Sequence, residues 1–551
     1  MTSVRVGRLR HSLDAGRIKE GVQRLERFER FEPMLVVTAE EMREMDRLTI
    51  QKYGVPSLTL MERAGEGIAQ TIVDGYGRAA KKGVLVVAGK GNNGGDGLVV
   101  ARLLQKKRFP CEVALLAHKD ELSPDASNNL RAYGKFKGKV LEIGSNNLSL
   151  LGQRMDKNAL IVDAILGTGM KNDVRGLFAE AIKMINASGI PVIAIDIPSG
   201  LDTDRGTPLG VAIQAKLTIA LGYPKLGEVI YPGVNYVGDL VVADIGIAAK
   251  AVTEVAPKTE LLDHKTIRQL VPRREPDTHK GTYGHVLVVA GSRGKTGAAI
   301  LACRAAMRTG AGLVTLAAPR SLNNIFAGSL VEVMTEPLRD NAAEEIEPLS
   351  DRRLLERKSA ILFGPGIGVN DGTQNALRWL LRNLEMPWVI DADGLNALAL
   401  EVHRLRHAKT PPVLTPHPGE MARLTGKSSA TVNADRVGNA RSFALENHCH
   451  VVLKGARTVI ATAEGKVFVN PTGNPGMASG GMGDVLAGIL AALLGQGFSP
   501  ENAMKLGVYL HGFVGDTAAA EKGQIGLIAS DIIEGLPAGL RALGSAESTR
   551  T

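Results

Sequence analysis

Short, nearly continuous apolar runs alternate with longer amphipathic stretches along most of the chain. Such runs are typical of parallel β-strands that are buried on both faces, and each is followed by a stretch with helical periodicity. The alternation therefore predicts sheets covered by helices on both sides. The predicted strands are VLVVA (84–88), CEVALLA (111–117), LIVDAIL (160–166) and PVIAID (191–196) in the first half, and HVLVVAG (285–291), LVTLAAP (313–319), AILFGPG (360–366), WVIDADG (388–394), VLTPHPG (413–419) and VVLKGA (451–456) in the second.

The alternation pauses once, where small residues, charged residues and Pro257 interrupt it. No fixed-period repeat relates the two halves, so a solenoid is excluded. We predict an α/β protein with two three-layer αβα domains. The predicted segments are a basic N-terminal extension (residues 1–33), a first domain (34–248), a linker (249–261) and a second domain (262–545).

Composition excludes several classes of protein. The chain has 551 residues, of which 44% are hydrophobic and 22% charged, and this balance suits a soluble globular protein. No apolar run reaches the roughly 18 to 20 residues needed to cross a bilayer, so we expect no membrane segment. The three cysteines are widely spaced, which allows neither a disulfide framework nor a CxxC metal site and favours a cytoplasmic location.

The net charge of +9 is modest for this length. Part of the basic excess lies in residues 1–33, and the remainder suits phosphate-bearing small molecules as well as a polynucleotide. Aromatic residues make up only 4% of the chain, which leaves few side chains for stacking on nucleic-acid bases. We therefore predict small-molecule substrates, with no nucleic-acid and no membrane partner.

Polar, glycine-rich segments follow three strands of the first predicted domain. GKGNNGGDG (89–97) matches GxGxxG between a strand and a helix, a context in which amide groups hold a phosphate. Asp163 and Asp196 close two further strands, and GTGMKND (167–173) and Ser199 follow them. Ligands bind at the carboxyl ends of parallel strands, so these segments are expected to converge. Their oxygen atoms suit a bound cation and an aspartate there could move a proton, although helix capping explains any one of them as well.

GKGNNGGDG, VDAILGTG and IDIPSGLD together resemble the NAD(P)H-hydrate epimerase family, the YjeF N-terminal domain, over about residues 34–248. The resemblance implies a Rossmann-like domain that interconverts the R and S forms of a reduced nicotinamide cofactor to whose ring water has added. It implies a potassium ion bound by Asn93, Asp163 and Ser199, and we assign Asp196 as catalytic. Lys90 stands where the family often has asparagine, outside these positions. The implied substrate-binding residues are Asn92, Asn93, Gly94, Gly95, Asp96, Gly167, Thr168, Gly169, Met170, Lys171, Asn172, Asp173 and Asp196.

The strongest signal of the second predicted domain is NPTGNPGMASGGMGDVLAG (470–488). Its glycines precede an apolar helix, where N–H groups and the helix dipole favour a phosphoryl group in transfer. Asp484 then lies beside that group, so its expected role is to take a proton from the attacking hydroxyl, with helix capping as the alternative. GSRGKTG (291–297) is not a Walker loop, because Val289 occupies the place of the first glycine.

Other strand ends of this domain carry candidate binding residues. The segment KGART (454–458) offers a cation and small residues for adenylate phosphates, or simply an exposed basic pair. His417 lies between two prolines, which fits either a rigid surface residue or a substrate contact. Gly366 permits close approach of the backbone, and Asp391 and Asp393 could orient substrate or magnesium, or cap a helix.

HKGTYG, TPHPGE, VLKGARTV and GNPGMASGGMGDVLAG resemble the ADP-dependent NAD(P)H-hydrate dehydratase family over about residues 262–540. The resemblance implies a ribokinase-like domain that phosphorylates the ring hydroxyl of the S hydrate with ADP and then expels phosphate. This restores NADH or NADPH and leaves AMP, with Mg²⁺ and ADP as the implied cofactors. The implied residues are Ala298, Gly366, His417 and the catalytic Asp484 for the hydrate, and Lys454, Gly455, Ala456, Arg457, Thr458 and Gly483 for the adenylate.

The sequence thus predicts a bifunctional repair enzyme, cytoplasmic and homo-oligomeric, that acts on hydrated NADH or NADPH and on ADP. A sugar or vitamin kinase fused to a Rossmann dinucleotide-binding domain also explains GxGxxG and GMGD, but it leaves Asn93, Asp163 and Ser199 without a role. A catalytically silent binding protein is the third possibility, and the presence of Asp196 and Asp484 argues against it.

Overall fold

The computed structural model describes residues 6–9 and 34–544. The chain divides into two compact units between Pro257 and Lys258. This division falls inside the segment 249–261 that the sequence pattern predicts to be a linker. The segment is regular rather than irregular, since it contains a helix and a three-residue strand.

The elements before this division alternate as the pattern predicts. The strands are β1 (Val6–Leu9), β2 (Met34–Val36), β3 (Val84–Ala88), β4 (Cys111–Leu115), β5 (Lys139–Glu142), β6 (Leu160–Ala164), β7 (Val192–Ile195), β8 (Leu217–Leu221) and β9 (Asp239–Ala243). The helices are α1 (Ala39–Arg47), α2 (Ser57–Ala80), α3 (Asn92–Lys106), α4 (Pro124–Gly134), α5 (Ser149–Met155), α6 (Gly176–Ala187), α7 (Leu226–Val229), α8 (Val234–Val237) and α9 (Ala249–Val255), with a π-helical turn at Leu48–Lys52.

The sheet of the first unit has the order β1-β9-β8-β7-β6-β3-β4-β5. All neighbouring strands in it are parallel except β1 and β9. The order reverses between β3 and β6, and ligands of such sheets bind in the crevice at the carboxyl ends of the strands where the order reverses. Helices α2 and α3 pack on one face of the sheet and α5 and α6 on the other, so the unit has three layers.

Helix α3 begins at Asn92, inside the GKGNNGGDG motif that the sequence pattern places before the helix. Most of the GKGNNGGDG motif therefore lies in the first turns of this helix rather than in a loop. A Cβ atom on Gly94 would lie 2.0 Å from the carbonyl oxygen of Gly89, and one on Gly97 would lie 2.6 Å from Cβ of Ala164. Glycine is required because the helix starts in direct contact with the ends of β3 and β6.

The second unit repeats the alternation. Its strands are β10 (Thr259–Leu261), β11 (His285–Val289), β12 (Leu313–Pro319), β13 (Met334–Leu338), β14 (Ala360–Phe363), β15 (Trp388–Ile390), β16 (Val413–Leu414), β17 (His450–Leu453), β18 (Val459–Ala461) and β19 (Val467–Val469). Its helices are α10 (His264–Arg268), α11 (Thr296–Arg308), α12 (Asn323–Ser329), α13 (Asp371–Asn383), α14 (Asp393–Ala399), α15 (Pro418–Thr425), α16 (Ser429–Ala434), α17 (Arg436–Asn447), α18 (Met482–Gly495), α19 (Pro500–Lys522) and α20 (Ala529–Gly544).

These strands follow the order β13-β12-β11-β14-β15-β16-β17-β18-β19-β10. They are parallel except where β18 pairs with β17 and β19. Helices α11, α18, α19 and α20 form the apolar core on one face. Leu287 and Phe363, which point to the other face, are also fully buried, so the sheet is covered on both sides. The order reverses between β11 and β14, which predicts a second ligand crevice at their carboxyl ends.

Part of the predicted N-terminal extension belongs to the first sheet, because β1 pairs antiparallel with β9. The rest of residues 1–33 lies outside the described residues. Between residues 34 and 544, no helix combines the length and the apolar character needed to cross a membrane. Cys111, Cys303 and Cys449 have free thiols, and burial raises the pKa of each well above its usual range.

Candidate active sites

Asn93, Asp163 and Ser199 meet at the crevice between β3 and β6. The carboxylate of Asp163 is fully buried and accepts hydrogen bonds from the Ser199 backbone N–H (2.8 Å) and hydroxyl (2.6 Å) and from the N–H of Ile165 (3.2 Å). Nδ2 of Asn93 donates to the carbonyl of Leu166 (2.9 Å). Oδ1 of Asn93 is buried and has no hydrogen-bond partner among the described residues. We term these three side chains the oxygen pocket.

The oxygen pocket fits a potassium ion in the type of ligand it offers. A buried acceptor without a partner costs about 1–3 kcal/mol, so Oδ1 of Asn93 favours a ligand that it can contact. Burial raises the pKa of Asp163 to about 6, opposed by the hydrogen bonds from Ser199 and Ile165, and a cation nearby would favour the charged form further. No group of three or more His, Cys, Asp or Glu in the described ranges is placed to hold a metal ion.

Asp196 lies directly after β7, with its backbone at φ +66°. Non-glycine residues rarely occupy this left-handed region, and such strain concentrates at functional sites. The carboxylate pairs with the ammonium group of Lys225, which is itself fully buried and also donates to the carbonyl of Leu221 (3.1 Å). The N–H of Leu221 donates to the same carboxylate oxygen (3.2 Å), so Asp196 is held from two directions.

Two further carboxylates interact with this pair. Burial and the charge of Asp196 raise the pKa of Asp46 to about 6, and the same two causes raise the pKa of Asp96 well above its usual range. Lys225 opposes both shifts. We term Asp46, Asp96, Asp196 and Lys225 the acid cluster. Carboxyl groups that interact this closely release their protons at different pH values, which lets one act as an acid while another acts as a base.

Other predicted substrate residues of the first unit lie at different depths. A Cβ atom on Gly167 would lie 3.3 Å from Cβ of Asn93, so this glycine borders the oxygen pocket. Asn92 is exposed and accepts a hydrogen bond from Ser123 (3.0 Å). Residues 168–173, the later part of the segment GTGMKND (167–173), lie at or near the surface. They are the partly buried Thr168 and Met170 and the exposed Gly169, Lys171, Asn172 and Asp173.

Lys454 is the centre of the second site. Its ammonium group donates to Asp391 (2.9 Å) and lies 3.8 Å from the carboxylate of Glu420. The hydroxyl of Thr415 donates to the same oxygen of Asp391 (2.7 Å). Burial alone would lower the pKa of Lys454, but the carboxylates of Asp391, Glu420 and Asp484 raise it overall, so the lysine remains charged.

Asp484 lies in the first turn of α18, whose opening N–H groups have no partner within the helix. Gly481 precedes the helix at φ +86°, a conformation that favours glycine. A Cβ atom on Gly483 would lie 3.1 Å from Nζ of Lys454, so the helix start and the lysine border the same space. Burial raises the pKa of Asp484 to about 7, with Asp391 adding to the shift and Lys454 opposing it.

The predicted adenylate segment 454–458 turns sharply, with Gly455 at φ +144° and Arg457 at φ +57°. The buried Arg436 donates to the carbonyls of Leu453 (3.0 Å), Lys454 (3.3 Å) and Arg457 (3.2 Å). Burial lowers the pKa of Arg436 to about 10, so it stays protonated near neutral pH. The guanidinium group thus fixes the segment, a role that its sequence position at the start of α17 does not reveal.

Gly366 and Ala298 are brought together across the β11–β14 crevice. A Cβ atom on Gly366 would lie 3.1 Å from Cβ of Ala298 and 2.8 Å from the carbonyl oxygen of Lys295. Lys295 donates to Asp393 (2.9 Å), which also accepts from the N–H of Gly368 (3.0 Å). These contacts place the two predicted hydrate contacts on one wall of the second site.

His417 caps helix α15. Its Nδ1 accepts hydrogen bonds from the N–H groups of Gly419 (3.0 Å) and Glu420 (3.4 Å). Burial and the positive charge of Lys454 lower the pKa of His417, so the ring is neutral and Nε2 carries its proton. Nε2 lies 3.5 Å from Oε1 of Glu420, on the half-exposed side of the ring.

These arrangements define an enzyme with two α/β domains and one polar site in each. The first site combines an oxygen pocket with an acid cluster, and the second places an aspartate and a lysine at the start of a glycine-rich helix. Family models match both domains. The model described as YjeF-related protein N-terminus matches residues 57–227, and the model described as NAD(P)H-hydrate dehydratase matches residues 286–538.

Full-length relatives match as well. The chain is 45% identical to the bifunctional NAD(P)H-hydrate repair enzyme of Moorella thermoacetica, over 93% of this chain and 97% of the relative. It is 35% identical to the enzyme of the same name from Escherichia coli, over 92% and 93%. The chain therefore belongs to the family of bifunctional NAD(P)H-hydrate repair enzymes. A crystal structure of the ADP/ATP-dependent NAD(P)H-hydrate dehydratase of Bacillus subtilis, co-crystallized with ATP/Mg²⁺, shares 32% identity over 51% of this chain and 97% of that chain, with a TM-score of 0.44.

The α/β class, the family and the combination of the two domain types are thus confirmed. The assignments of individual residues, the homo-oligomer and the cytoplasmic location stay predictions.

Four residues of the two candidate sites were not predicted from the sequence: Asp46, Lys225, Glu228 and Arg436. Lys225 and Glu228 carry a weak signal, since both follow the carboxyl end of β8. The backbone N–H of Lys225 donates to the buried Glu228 (2.6 Å), and burial raises the pKa of that carboxyl to about 8.

Proposed function

We propose that the first unit interconverts the R and S forms of hydrated NADH and NADPH, and that the second unit dehydrates the S form at the expense of ADP. The position of Asp484 is the main support for the dehydratase activity. This carboxyl has a raised pKa and lies at the start of a glycine-rich helix, close to a buried lysine. A group of that kind takes a proton near neutral pH where a phosphoryl group is transferred.

In the second site, Asp484 removes the proton of the ring hydroxyl, and the oxygen attacks the terminal phosphorus of ADP. A bond from this oxygen to phosphorus forms as the bond from phosphorus to the bridging oxygen breaks, and AMP leaves. Lys454 and the first N–H groups of α18 stabilise the negative charge on the phosphoryl group. Phosphate then departs with the former hydroxyl oxygen, because it is a far better leaving group than hydroxide, and loss of a neighbouring ring proton restores NADH or NADPH.

Magnesium fits this site as an ion that binds together with the nucleotide. Asp391 is already bonded to Lys454 and Thr415, and Asp393 to Lys295, so neither carboxylate is free to hold a metal ion alone. We propose that Mg²⁺ enters bound to the phosphates of ADP, near Asp391. When bound it neutralises phosphate charge.

In the first site, Asp196 moves the proton that epimerisation requires, and the buried Lys225 holds its carboxylate in an ion pair. The neighbouring Asp46 and Asp96 have raised pKa values and hold protons more readily. The segment from Asn92 to Asp96 and the segment 167–173 border the same crevice and hold the hydrated cofactor. Asn93, Asp163 and Ser199 hold potassium, which supplies a fixed positive charge beside the substrate.

Removing potassium is expected to slow the epimerase and spare the dehydratase. Exchange of K⁺ for tetramethylammonium lowers the epimerisation rate, because the oxygen pocket then lacks its cation, and adding K⁺ back restores it. Asn93→Leu removes the unpartnered oxygen and abolishes this response. The rate of R-to-S conversion, followed by chromatography, measures the effect. The matched control is Asn146→Leu at an exposed turn, which keeps the K⁺ response. An Asn93→Leu enzyme that still responds to K⁺ would refute the assignment.

The proposal as a whole is tested by incubating the protein with mixed R and S hydrates of NADH and with ADP. Recovery of reduced-nicotinamide absorbance from both epimers, with AMP and phosphate as products, is the expected result. A sugar or vitamin kinase would instead leave the hydrates unchanged and build up a stable phosphorylated product from its own substrate. Parallel reactions with ATP show which nucleotide the second site prefers.

A further inference from the structure

A groove in the second unit lies outside both candidate sites and is lined by cationic side chains. Its cavity volume is about 1090 Å³. Its cationic members come from helix α10 and the residues after it, from the end of α11 and from the last turn of α20. They are Lys265, Arg268, Arg273, Arg274, Arg308 and Arg541. We term this feature the basic groove.

The positive charge of the basic groove is not neutralised by its own walls. None of the described residues that line it is acidic. Within the described part of the chain, Arg268, Arg273, Arg308 and Arg541 have no ion-pair partner within 4 Å. Helices α11, α18 and α20 end at the groove, and their dipoles supply together about −1.5 charges, well short of the charge of these four arginines. A substantial positive potential therefore remains.

One arginine of the groove is held in place in advance. The guanidinium group of Arg274 lies 3.9 Å from the ring centre of Tyr283 and donates to the carbonyl of Gly310 (2.6 Å). Stacking and a hydrogen bond together restrict its rotamers, so less entropy is lost when it binds a ligand. Such fixed, planar donors suit phosphate oxygens better than lysine does.

The basic groove lies at the opposite end of the unit from the proposed phosphoryl-transfer site. Helix α18 starts with Asp484 in its first turn, and the residue that follows its end, Gln496, lines the groove. Helix α11 likewise starts near Ala298 and ends at Arg308. Fourteen residues of α-helix span about 20 Å, so one ligand of ordinary size does not occupy both places.

We propose that the basic groove binds a small anion with several phosphate groups, recognised through its phosphates. The volume suits such a ligand, since small-molecule pockets commonly measure about 300 to 1,000 Å³. Arginines from separate segments surround it, as bidentate recognition of several phosphates requires. No aromatic side chain is among the described lining residues, so a nucleoside base has no ring to stack on. The site takes the phosphate chain of a nucleoside triphosphate and inorganic triphosphate alike.

The test is calorimetric titration of the full chain with tripolyphosphate, ATP and citrate. Arg308→Ala combined with Arg541→Ala should weaken tripolyphosphate binding at one site by about 100-fold or more, since each charged hydrogen bond contributes about 1.5–3 kcal/mol and about 1.4 kcal/mol is tenfold. The matched control is Arg304→Ala, an exposed arginine one turn earlier on α11 that does not line the groove, and its binding should equal that of the original chain. Lys454→Met should weaken only the other, catalytic site, which separates this proposal from the proposed function.

Equal affinity for tripolyphosphate and ATP at the groove, with citrate much weaker, is the supporting result. The proposal is overturned if the double variant binds tripolyphosphate as the original chain does. It is also overturned if ATP binds far more tightly than tripolyphosphate, since the base would then be recognised. If the double variant only lowers the melting temperature and leaves all titrations unchanged, the two arginines only stabilise the C-terminal ends of their helices, and the proposal fails.

Discussion

Asp484→Asn is expected to lower kcat for the ADP-dependent dehydration by about 10²–10⁴-fold, the usual contribution of a general base. The amide keeps the size of the side chain at the start of α18 but cannot accept the hydroxyl proton. Epimerisation by the same chain should not change, because the oxygen pocket and the acid cluster belong to the other unit. Separate assays of R-to-S conversion and of NADH recovery measure the two effects in one preparation.

The pH dependence of the dehydratase provides a second measurement of the same group. Asp484 acts when deprotonated and its pKa is about 7, so activity should rise with pH through that value and level off above it. Asp484→Asn should remove this rise. The control is Asp371→Asn, an exposed aspartate in the first turn of α13, which should keep both the rate and the profile. An unchanged rise in the Asp484→Asn enzyme would show that another group is the base.

Lys225→Met is expected to lower epimerase activity by about 10²-fold or more, comparably to Asp196→Asn, because a general acid or base contributes about 10²–10⁴-fold. Without the ammonium group, the carboxylate of Asp196 loses its ion-pair partner, so its negative charge is unbalanced and its position is no longer fixed. Lys225→Arg keeps the positive charge, so it should retain part of the epimerase activity that Lys225→Met and Asp196→Asn lose.

This partial rescue by Lys225→Arg separates an electrostatic role of Lys225 from a purely structural one. Removing one partner of a buried ion pair destabilises a protein by about 3–5 kcal/mol, so melting temperature and dehydratase activity are measured together with epimerisation. Lys216→Met, an exposed lysine just before the opposite end of β8, is the control and should leave all three unchanged. A Lys225→Met enzyme that is folded and fully active would exclude the acid cluster from the reaction.

The architecture could be predicted from the sequence because its evidence is local. Runs such as VLVVA at 84–88 are apolar at every position, and a strand with this pattern is stable only between two helical layers. The sequence pattern did not predict elements that are short or weakly patterned. Strand β10 has three residues with Glu260 in the middle, and its existence depends on pairing with β19, which is far away in sequence.

The residues of the candidate sites likewise divide into those that the sequence predicts and those that only the folded structure shows. Asn93 and Asp484 lie in glycine-rich segments after strands and Asp163 lies at the end of β6, so sequence position alone places them at a carboxyl edge. Lys225 is 29 residues from Asp196, and only the folded chain shows that the lysine is buried against that carboxylate. Arg436 likewise acts through four backbone carbonyls of another segment, contacts for which side-chain identity gives no signal.

The pairing of β10 with β19 decides where the two halves of this chain can be cut for separate expression. A fragment that starts at Leu262, where the apolar pattern places the second domain, loses β10 and leaves the backbone of β19 open to pairing with other chains. Such a fragment is expected to aggregate. A fragment that starts at Lys258 retains β10 on β19 and should aggregate less than the shorter fragment.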